Sequence, residues 1–133
     1  MLITSIHFPG TCDEAISYYK EVFGAQVKEI NYFRDAPANS GMDLSLPPNF
    51  VMHSEVLLYG TLLCLTDGVE TRPASDNFSY MVLFDSVEEV TSVFNKIAKD
   101  GKVAEALAPQ FWAKLYGEVK DQFGVQWQIS TKN

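Results

Sequence analysis

His53 and Glu55, two positions apart on one predicted strand, could carry out acid–base chemistry together. Alternate residues of a β-strand point to the same face, so the imidazole and the carboxylate would stand side by side. If Val56 and Leu58 face a helix, the pair faces the opposite side of the sheet. The carboxylate could then hold the imidazolium form and make a general acid–base pair that works near neutral pH. The same side chains could instead supply two metal ligands, or form an ordinary polar pair.

A second group of candidate residues centres on the last predicted strand, where Gln126 and Gln128 alternate with apolar residues. The apolar set should pack against a helix, which leaves the two amides on the other face of the sheet. A buried amide needs hydrogen-bond partners, and either neighbouring side chains or a bound ligand can supply them. Trp112, on a predicted loop, is a candidate aromatic wall for the same ligand, and core packing is the alternative.

The composition disfavours several classes of protein: nucleic-acid-binding proteins, proteins with histidine- or cysteine-rich metal sites, and membrane-spanning proteins. The chain has 133 residues, enough for one domain with a sizeable core, and a net charge of −7, which disfavours binding to nucleic acid. It holds two histidines and two cysteines, too few for a zinc-finger grid or a three-histidine metal site. No segment approaches the roughly 20 apolar residues that span a bilayer, and the first residues do not read as a signal peptide. We therefore expect a cytoplasmic protein with free thiols and no membrane partner.

The sequence contains no motif for nucleophilic catalysis by serine or for phosphate binding. A Gly-x-Ser-x-Gly nucleophile elbow is absent from the sequence, and so is a glycine-rich phosphate-binding loop.

An internal repeat organises the elements that must position these residues. The pattern aromatic-Gly, four residues, aliphatic-hydroxyl begins at Tyr59 and again 64 positions later at Phe123. With one helix in each half, this predicts two β-α-β-β-β modules and an α+β fold, over residues 1–67 and 78–133 with a linker over 68–77. The predicted strands cover 2–8, 26–33, 51–59, 61–66, 78–84, 103–107, 114–120 and 125–130.

Each predicted helix has a start signal and a stop signal. Thr11 and Ser86 are each followed three residues later by Glu, the pattern of a capping box. Gly24 and Gly101 follow the last apolar residue of each helical stripe, where a glycine tolerates the left-handed conformation.

With this organisation, the chain resembles the vicinal oxygen chelate superfamily of glyoxalase I, extradiol dioxygenases and bleomycin-resistance proteins, and more narrowly its PhnB-like branch. The resemblance covers nearly the whole chain. The stretches that carry it are 12–16 (CDEAI), 19–24 (YKEVFG), 51–55 (VMHSE), Phe111-Trp112, Gly117 and 121–128 (DQFGVQWQ). It implies a half-barrel of two modules with a ligand cavity on its concave face, and a homodimer.

The resemblance also implies where a glyoxalase-type metal centre would lie. Its four ligand positions fall on Thr4, Cys64, Ser79 and Gln128, where the superfamily uses His or Glu. Hydroxyl and amide groups are poor ligands for a tightly held divalent ion, so we predict no metal quartet and assign these residues to ligand binding. By alternation from Thr4, His7 should point away from the cavity.

The sequence therefore predicts a PhnB-like protein that binds a small molecule in a cavity lined by Trp112, Gln126 and Gln128. One alternative is a metal-dependent lyase, isomerase or dioxygenase that uses His53 and Glu55, with a divalent metal as its cofactor. Another is a structural or regulatory dimeric module without a cavity.

Overall fold

The chain folds into two β-α-β-β-β modules, as the sequence predicts. In this computed structural model, which describes residues 1–41 and 45–133, the modules fall in two units, Met1–Pro73 and Ala74–Asn133. The first module consists of β1 Thr4–Phe8, α1 Cys12–Phe23, β2 Gln26–Tyr32, β3 Val51–Leu58 and β4 Thr61–Asp67. The second consists of β5 Tyr80–Phe84, α2 Val87–Asp100, β6 Lys102–Gln110, β7 Ala113–Lys120 and β8 Gln126–Thr131.

The two sheets share one topology. Their strand orders are β1-β4-β3-β2 and β5-β8-β7-β6. In each sheet the first and last strands of the module pair in parallel, and the other neighbours pair antiparallel. The helix of each module packs against one face of its own sheet. We call the face opposite the helix the open face.

Apolar burial between each helix and its sheet forms the core of each module. The predicted helical stripes are confirmed, because their residues are buried and alternate strand residues meet them. In the first module these residues are Ile16, Tyr19, Phe23, Val56, Leu63 and Leu65. In the second they are Val90, Val93, Phe94, Ile97, Val119, Trp127 and Ile129.

The two helix starts differ in a way that the sequence did not reveal. At α2 the capping prediction is confirmed, since the Glu89 amide donates to the Ser86 hydroxyl oxygen at 3.2 Å. At α1 the prediction is wrong, because the Thr11 side chain makes no capping hydrogen bond within the described residues. The buried Asp67 carboxylate accepts instead, from the amide of Cys12 at 2.9 Å and from that of Val51 at 2.9 Å. A strand-end carboxylate thus serves as the cap.

The two helix ends differ as well. Gly24 adopts the expected left-handed conformation, with φ at 70°. Gly101 is extended, so the prediction of a left-handed cap is wrong there. Close packing requires a glycine at this position, because a Cβ on residue 101 would lie 2.7 Å from the Ile97 carbonyl oxygen and closer still to that of Lys120.

Neither helix among the described residues is long and apolar enough to cross a membrane.

Candidate functional site

The open face of the first sheet carries the predicted pair His53 and Glu55. Val56 and Leu58 are buried on the helix side, so alternation turns the pair to the open face, as expected. The imidazole Nε2 lies 3.9 Å from a Glu55 carboxylate oxygen, and the two side chains are 43% and 37% exposed. Both groups are therefore accessible to a ligand while they remain within reach of each other.

Glu29 joins this pair, although simple alternation along β2 would place it on the helix side with Val27. Val27 pairs with Val56, but the next pair is Glu29 with Glu55, so Lys28 is an extra residue in a β-bulge. The bulge resets the alternation and brings Glu29 to the open face. The ligand atoms of Glu29, His53 and Glu55 all lie within 4.8 Å of one another, close enough to share one metal ion. Sequence alternation alone missed this residue.

Cys64 contacts the other nitrogen of the His53 ring. Its Sγ lies 3.6 Å from Nδ1, and Cys64 is also the Cα partner of Glu55 across β3 and β4. The sequence held a signal for this arrangement, because the two-residue turn Tyr59-Gly60, with both φ angles positive, fixes the hairpin register. Counting outward from the turn places Glu55 opposite Cys64.

The predicted orientation of β1 is wrong. Thr4 pairs with Leu63, whose side chain is buried toward the helix, whereas His7 pairs with Thr66 on the open face. The His7 ring packs against Gly68, and its Nε2 is buried without a hydrogen-bond partner in the described part of the chain. The parallel pairing of β1 with β4 sets this register, and local spacing does not encode it.

On the second module, the Gln128 amide is held between two hydroxyl groups. The Tyr116 hydroxyl donates to Oε1 at 2.7 Å, and Nε2 donates to the Ser79 hydroxyl oxygen at 2.7 Å. Burial, followed by the nearby Glu118 and Glu105 carboxylates, raises the pKa of Tyr116, so its hydroxyl remains a donor at neutral pH. The amide is therefore fixed in one orientation.

Trp112 extends this group with an aromatic surface. Its ring packs edge-on against Tyr116 with centroids 5.6 Å apart, and 43% of the residue is exposed. It also lines an open cleft of about 420 Å³ at the β6–β7 turn, together with Phe111, Lys114 and Lys132. Gln128 and Ser79 do not line that cleft, so Trp112 stands between the two features.

Gln126 plays a different part from the one predicted. It is buried, and its Nε2 donates to the Ser75 carbonyl oxygen and to the Asp76 carboxylate, each at 3.1 Å. Asp76 also accepts from Lys120, an interaction that lowers the pKa of the Asp76 carboxyl group. These bonds fasten the start of the second unit to its sheet.

The residues at the four glyoxalase-type metal positions do not fit a divalent ion. Thr4 lies on the helix side of its sheet. Ser79 and Gln128 are hydrogen-bonded to each other, since the Gln128 amide donates to the Ser79 hydroxyl oxygen. Cys64 is directed to His53.

The modules repeat one another at the level of the site. Glu105 pairs with Glu118 across a bulge next to the Val103–Val119 pair, as Glu29 pairs with Glu55 in the first module. Tyr116 precedes Glu118 by two residues, as His53 precedes Glu55. The two open faces therefore share a framework, with an imidazole in one and a phenol in the other.

Comparison with known proteins gives a consistent picture. A family model described as 3-demethylubiquinone-9 3-methyltransferase matches residues 1–130. The chain is 29% identical to protein YjdN of Escherichia coli K12, over 94% of this chain and 90% of that protein. It is 24% identical to a Bacillus cereus structure described as a putative 3-demethylubiquinone-9 3-methyltransferase, PhnB protein, with a TM-score of 0.81 and 98% of each chain covered.

A more distant structure shares the fold. FosX, a fosfomycin resistance protein of Listeria monocytogenes solved with Mn(II) and sulfate, is 10% identical with a TM-score of 0.67. That match covers 100% of this chain and 92% of FosX.

Proposed function

Because the chain belongs to the 3-demethylubiquinone-9 3-methyltransferase family, a PhnB-like branch with the glyoxalase-type fold, we propose that it binds a small organic molecule on the open face of its second module. The observation that carries this proposal is the Gln128 amide fixed between Tyr116 and Ser79. A primary amide can make four hydrogen bonds, and these two bonds use one acceptor and one donor position. Among the residues that the structure describes, one acceptor position and one N–H of Gln128 are left for a ligand.

The surroundings of Gln128 favour an organic ligand. Met81, the Cα partner of Gln128, and Leu83 are about half exposed on the same face of β5, and Trp112 adds an aromatic edge. Ligand sites combine apolar and aromatic walls with a few polar groups in fixed positions. Because the amide is held before binding, the ligand does not have to immobilise it.

The hydrogen-bonding groups of Gln128 favour one class of ligand. An amide that offers one donor and one acceptor pairs best with a group that offers the complementary pair, such as a lactam, an imide or a carboxamide. A planar ring on that group would pack against Trp112. We therefore propose a planar aromatic or heteroaromatic molecule with an amide-like edge.

Thermal unfolding with a panel of such molecules tests the proposal, because a ligand of the native state raises Tm. The ligand that raises Tm should lose its effect in Gln128→Ala, and Tyr116→Phe should weaken it. Gln122→Ala, which removes an exposed glutamine from the turn before β8, is the matched control and should respond like the parent. S-adenosylmethionine is included, since the family description names a methyl transfer.

Two results would contradict the proposal. One is a panel in which no member raises Tm. The other is a shift that Gln128→Ala leaves intact, because the ligand would then bind elsewhere.

The expectations of a homodimer and of a cytoplasmic location belong to the same proposal. The superfamily resemblance supports the dimer, and light scattering coupled to size-exclusion chromatography measures it. A monomer at micromolar concentration would contradict this part alone.

A second function, metal-dependent lyase, isomerase or dioxygenase chemistry at His53 and Glu55, is favoured by one observation. Glu29 supplies a third ligand atom within 4.8 Å of the pair. Turnover that depends on added metal and is lost in His53→Gln would support this function.

A further inference from the structure

We propose that Glu29, His53 and Glu55 bind one divalent transition-metal ion on the open face of the first module. This site uses β2 and β3. None of its three ligands is at a glyoxalase-type position, and binding of the ion does not depend on an organic ligand at Gln128. The site deepens the second proposed function, and metal binding is measured there independently of turnover.

The first support is convergence of ligand atoms from two strands. Glu29 and Glu55 are Cα partners. The Lys28 bulge turns the Glu29 side chain to the open face, where it lies beside Glu55 and His53. With His53 Nε2 at 3.9 Å from Glu55 Oε1 and all three ligand atoms within 4.8 Å, small side-chain rotations bring each to a metal–ligand distance of about 2.0–2.2 Å.

The second support is charge. Two carboxylates directly opposite each other on neighbouring strands repel and destabilise the sheet. A divalent cation bound between the two carboxylates cancels that repulsion. The pair therefore gains most when a cation occupies the space that the three side chains share.

The third support is the way in which the ligands are oriented. Cys64 lies at Nδ1 of His53, which leaves Nε2 directed toward Glu55. The Asn31 amide donates to a Glu29 carboxylate oxygen at 3.0 Å and so positions the second carboxylate. Metal-bound histidines and carboxylates commonly carry such outer partners, which fix the ring and the carboxylate for the ion. Cys64 and Asn31 are positioning residues in this site.

The second module provides an internal comparison. Glu105 and Glu118 form the equivalent cross-strand pair, but Tyr116 stands where the first module has His53, and its hydroxyl is bonded to Gln128. A protonated phenol is a poor ligand, so binding should distinguish the two modules through the imidazole.

The ligand set selects the metal class. One imidazole nitrogen with two carboxylate oxygens suits Zn²⁺, Mn²⁺, Co²⁺ or Ni²⁺ better than Mg²⁺ or Ca²⁺, which favour all-oxygen sites. One exposed and two half-exposed side chains leave further positions on the ion for water.

Calorimetric titration of the chelator-treated full chain with Zn²⁺ tests the site. We expect one ion per chain, and at least a tenfold weaker affinity in each of Glu29→Gln, His53→Gln and Glu55→Gln. Glu118→Gln removes one carboxylate from the equivalent pair in the second module and should bind like the parent. Circular dichroism of every variant before titration establishes that it is folded, and Glu29→Gln, at an exposed strand position, is the least disruptive of them.

Cobalt absorption tests the arrangement around His53. The Co²⁺ complex should lack an intense thiolate charge-transfer band, and Cys64→Ala should weaken binding up to about tenfold without abolishing it. Failure to bind both Zn²⁺ and Co²⁺ would overturn the site, and so would equal losses in His53→Gln and Glu118→Gln. An intense thiolate band would overturn the assigned geometry, since Cys64 would then be a ligand. None of these outcomes bears on the organic ligand at Gln128, which is measured without metal.

Discussion

Glu29 lies directly opposite Glu55 on neighbouring antiparallel strands, although the alternation of β2 would place it on the other face. The Lys28 bulge creates this pairing, and the second module repeats it with Glu105 and Glu118. A repeated like-charge pair costs stability in the absence of a cation, and that cost can be measured.

Removing one charge of the pair should stabilise the metal-free protein. We expect Glu29→Gln to raise the free energy of unfolding by about 0.2–1 kcal/mol in urea with chelator present, because the repulsion with Glu55 is relieved. The glutamine retains an oxygen for the Asn31 amide. Glu105→Gln, its counterpart, should act in the same direction. A destabilised Glu29→Gln variant under these conditions would show that the carboxylates do not repel.

Asp67 should be among the most important polar residues for stability. Its buried carboxylate accepts two backbone N–H groups that open α1 and β3, and each such bond to a charged group contributes about 1.5–3 kcal/mol. We expect Asp67→Ala to lower the free energy of unfolding by about 3–5 kcal/mol in urea titration. Asp85→Ala, which removes an exposed partner of Lys132, should cost at most about 1 kcal/mol. Equal losses in the two variants would contradict the role of Asp67.

Tyr116→Phe should destabilise the protein in a pH-dependent way. The loss of one hydrogen bond to Gln128 should cost about 1 kcal/mol at neutral pH. The pKa of Tyr116 is raised in the folded state, so its stabilising contribution is fully present below the unfolded value near pH 10. The contribution is lost as pH rises through the folded pKa. The difference between parent and variant should therefore be constant from about pH 7 to 9 and shrink above about pH 10. A difference that grows above that pH would contradict the raised pKa.

The two cysteines should differ in reactivity. Cys12 is fully buried, and burial, with Asp67 next, raises the pKa of its thiol, so little thiolate forms. Cys64 is partly exposed, and its Sγ adjoins the His53 ring. Peptide mass spectrometry after iodoacetamide treatment of the folded protein should find label on Cys64 and not on Cys12. Equal labelling of the two cysteines would contradict this difference in exposure.

Local sequence patterns predicted the helices and strands well, because these elements depend mainly on residues that are close together in the chain. The apolar spacing of Ile16, Tyr19 and Phe23 identified α1, and Gly24 marked its end. Alternation from Val56 and Leu58 oriented His53 correctly, since β3 has no bulge over those residues.

The errors at the site arise where tertiary pairing overrides local pattern. The Lys28 bulge shifted Glu29 to the open face, and pairing with β4 turned Thr4 toward the helix. Asp67 caps α1 from 55 residues away, a contact that no local motif encodes. The partners of Gln128 and Gln126 also come from other strands or from the linker, so alternation could give their face but not their different roles.

The proposed function is tested most directly by following the side-chain signals of Gln128 and Trp112 in a ¹H–¹⁵N NMR titration. A planar ligand with an amide-like edge should shift the Gln128 side-chain amide and the Trp112 indole N–H together, with a common dissociation constant. The signal of the Gln122 side-chain amide should remain unchanged. A ligand that binds without shifting the NMR signal of the Gln128 side-chain amide would contradict the proposed site.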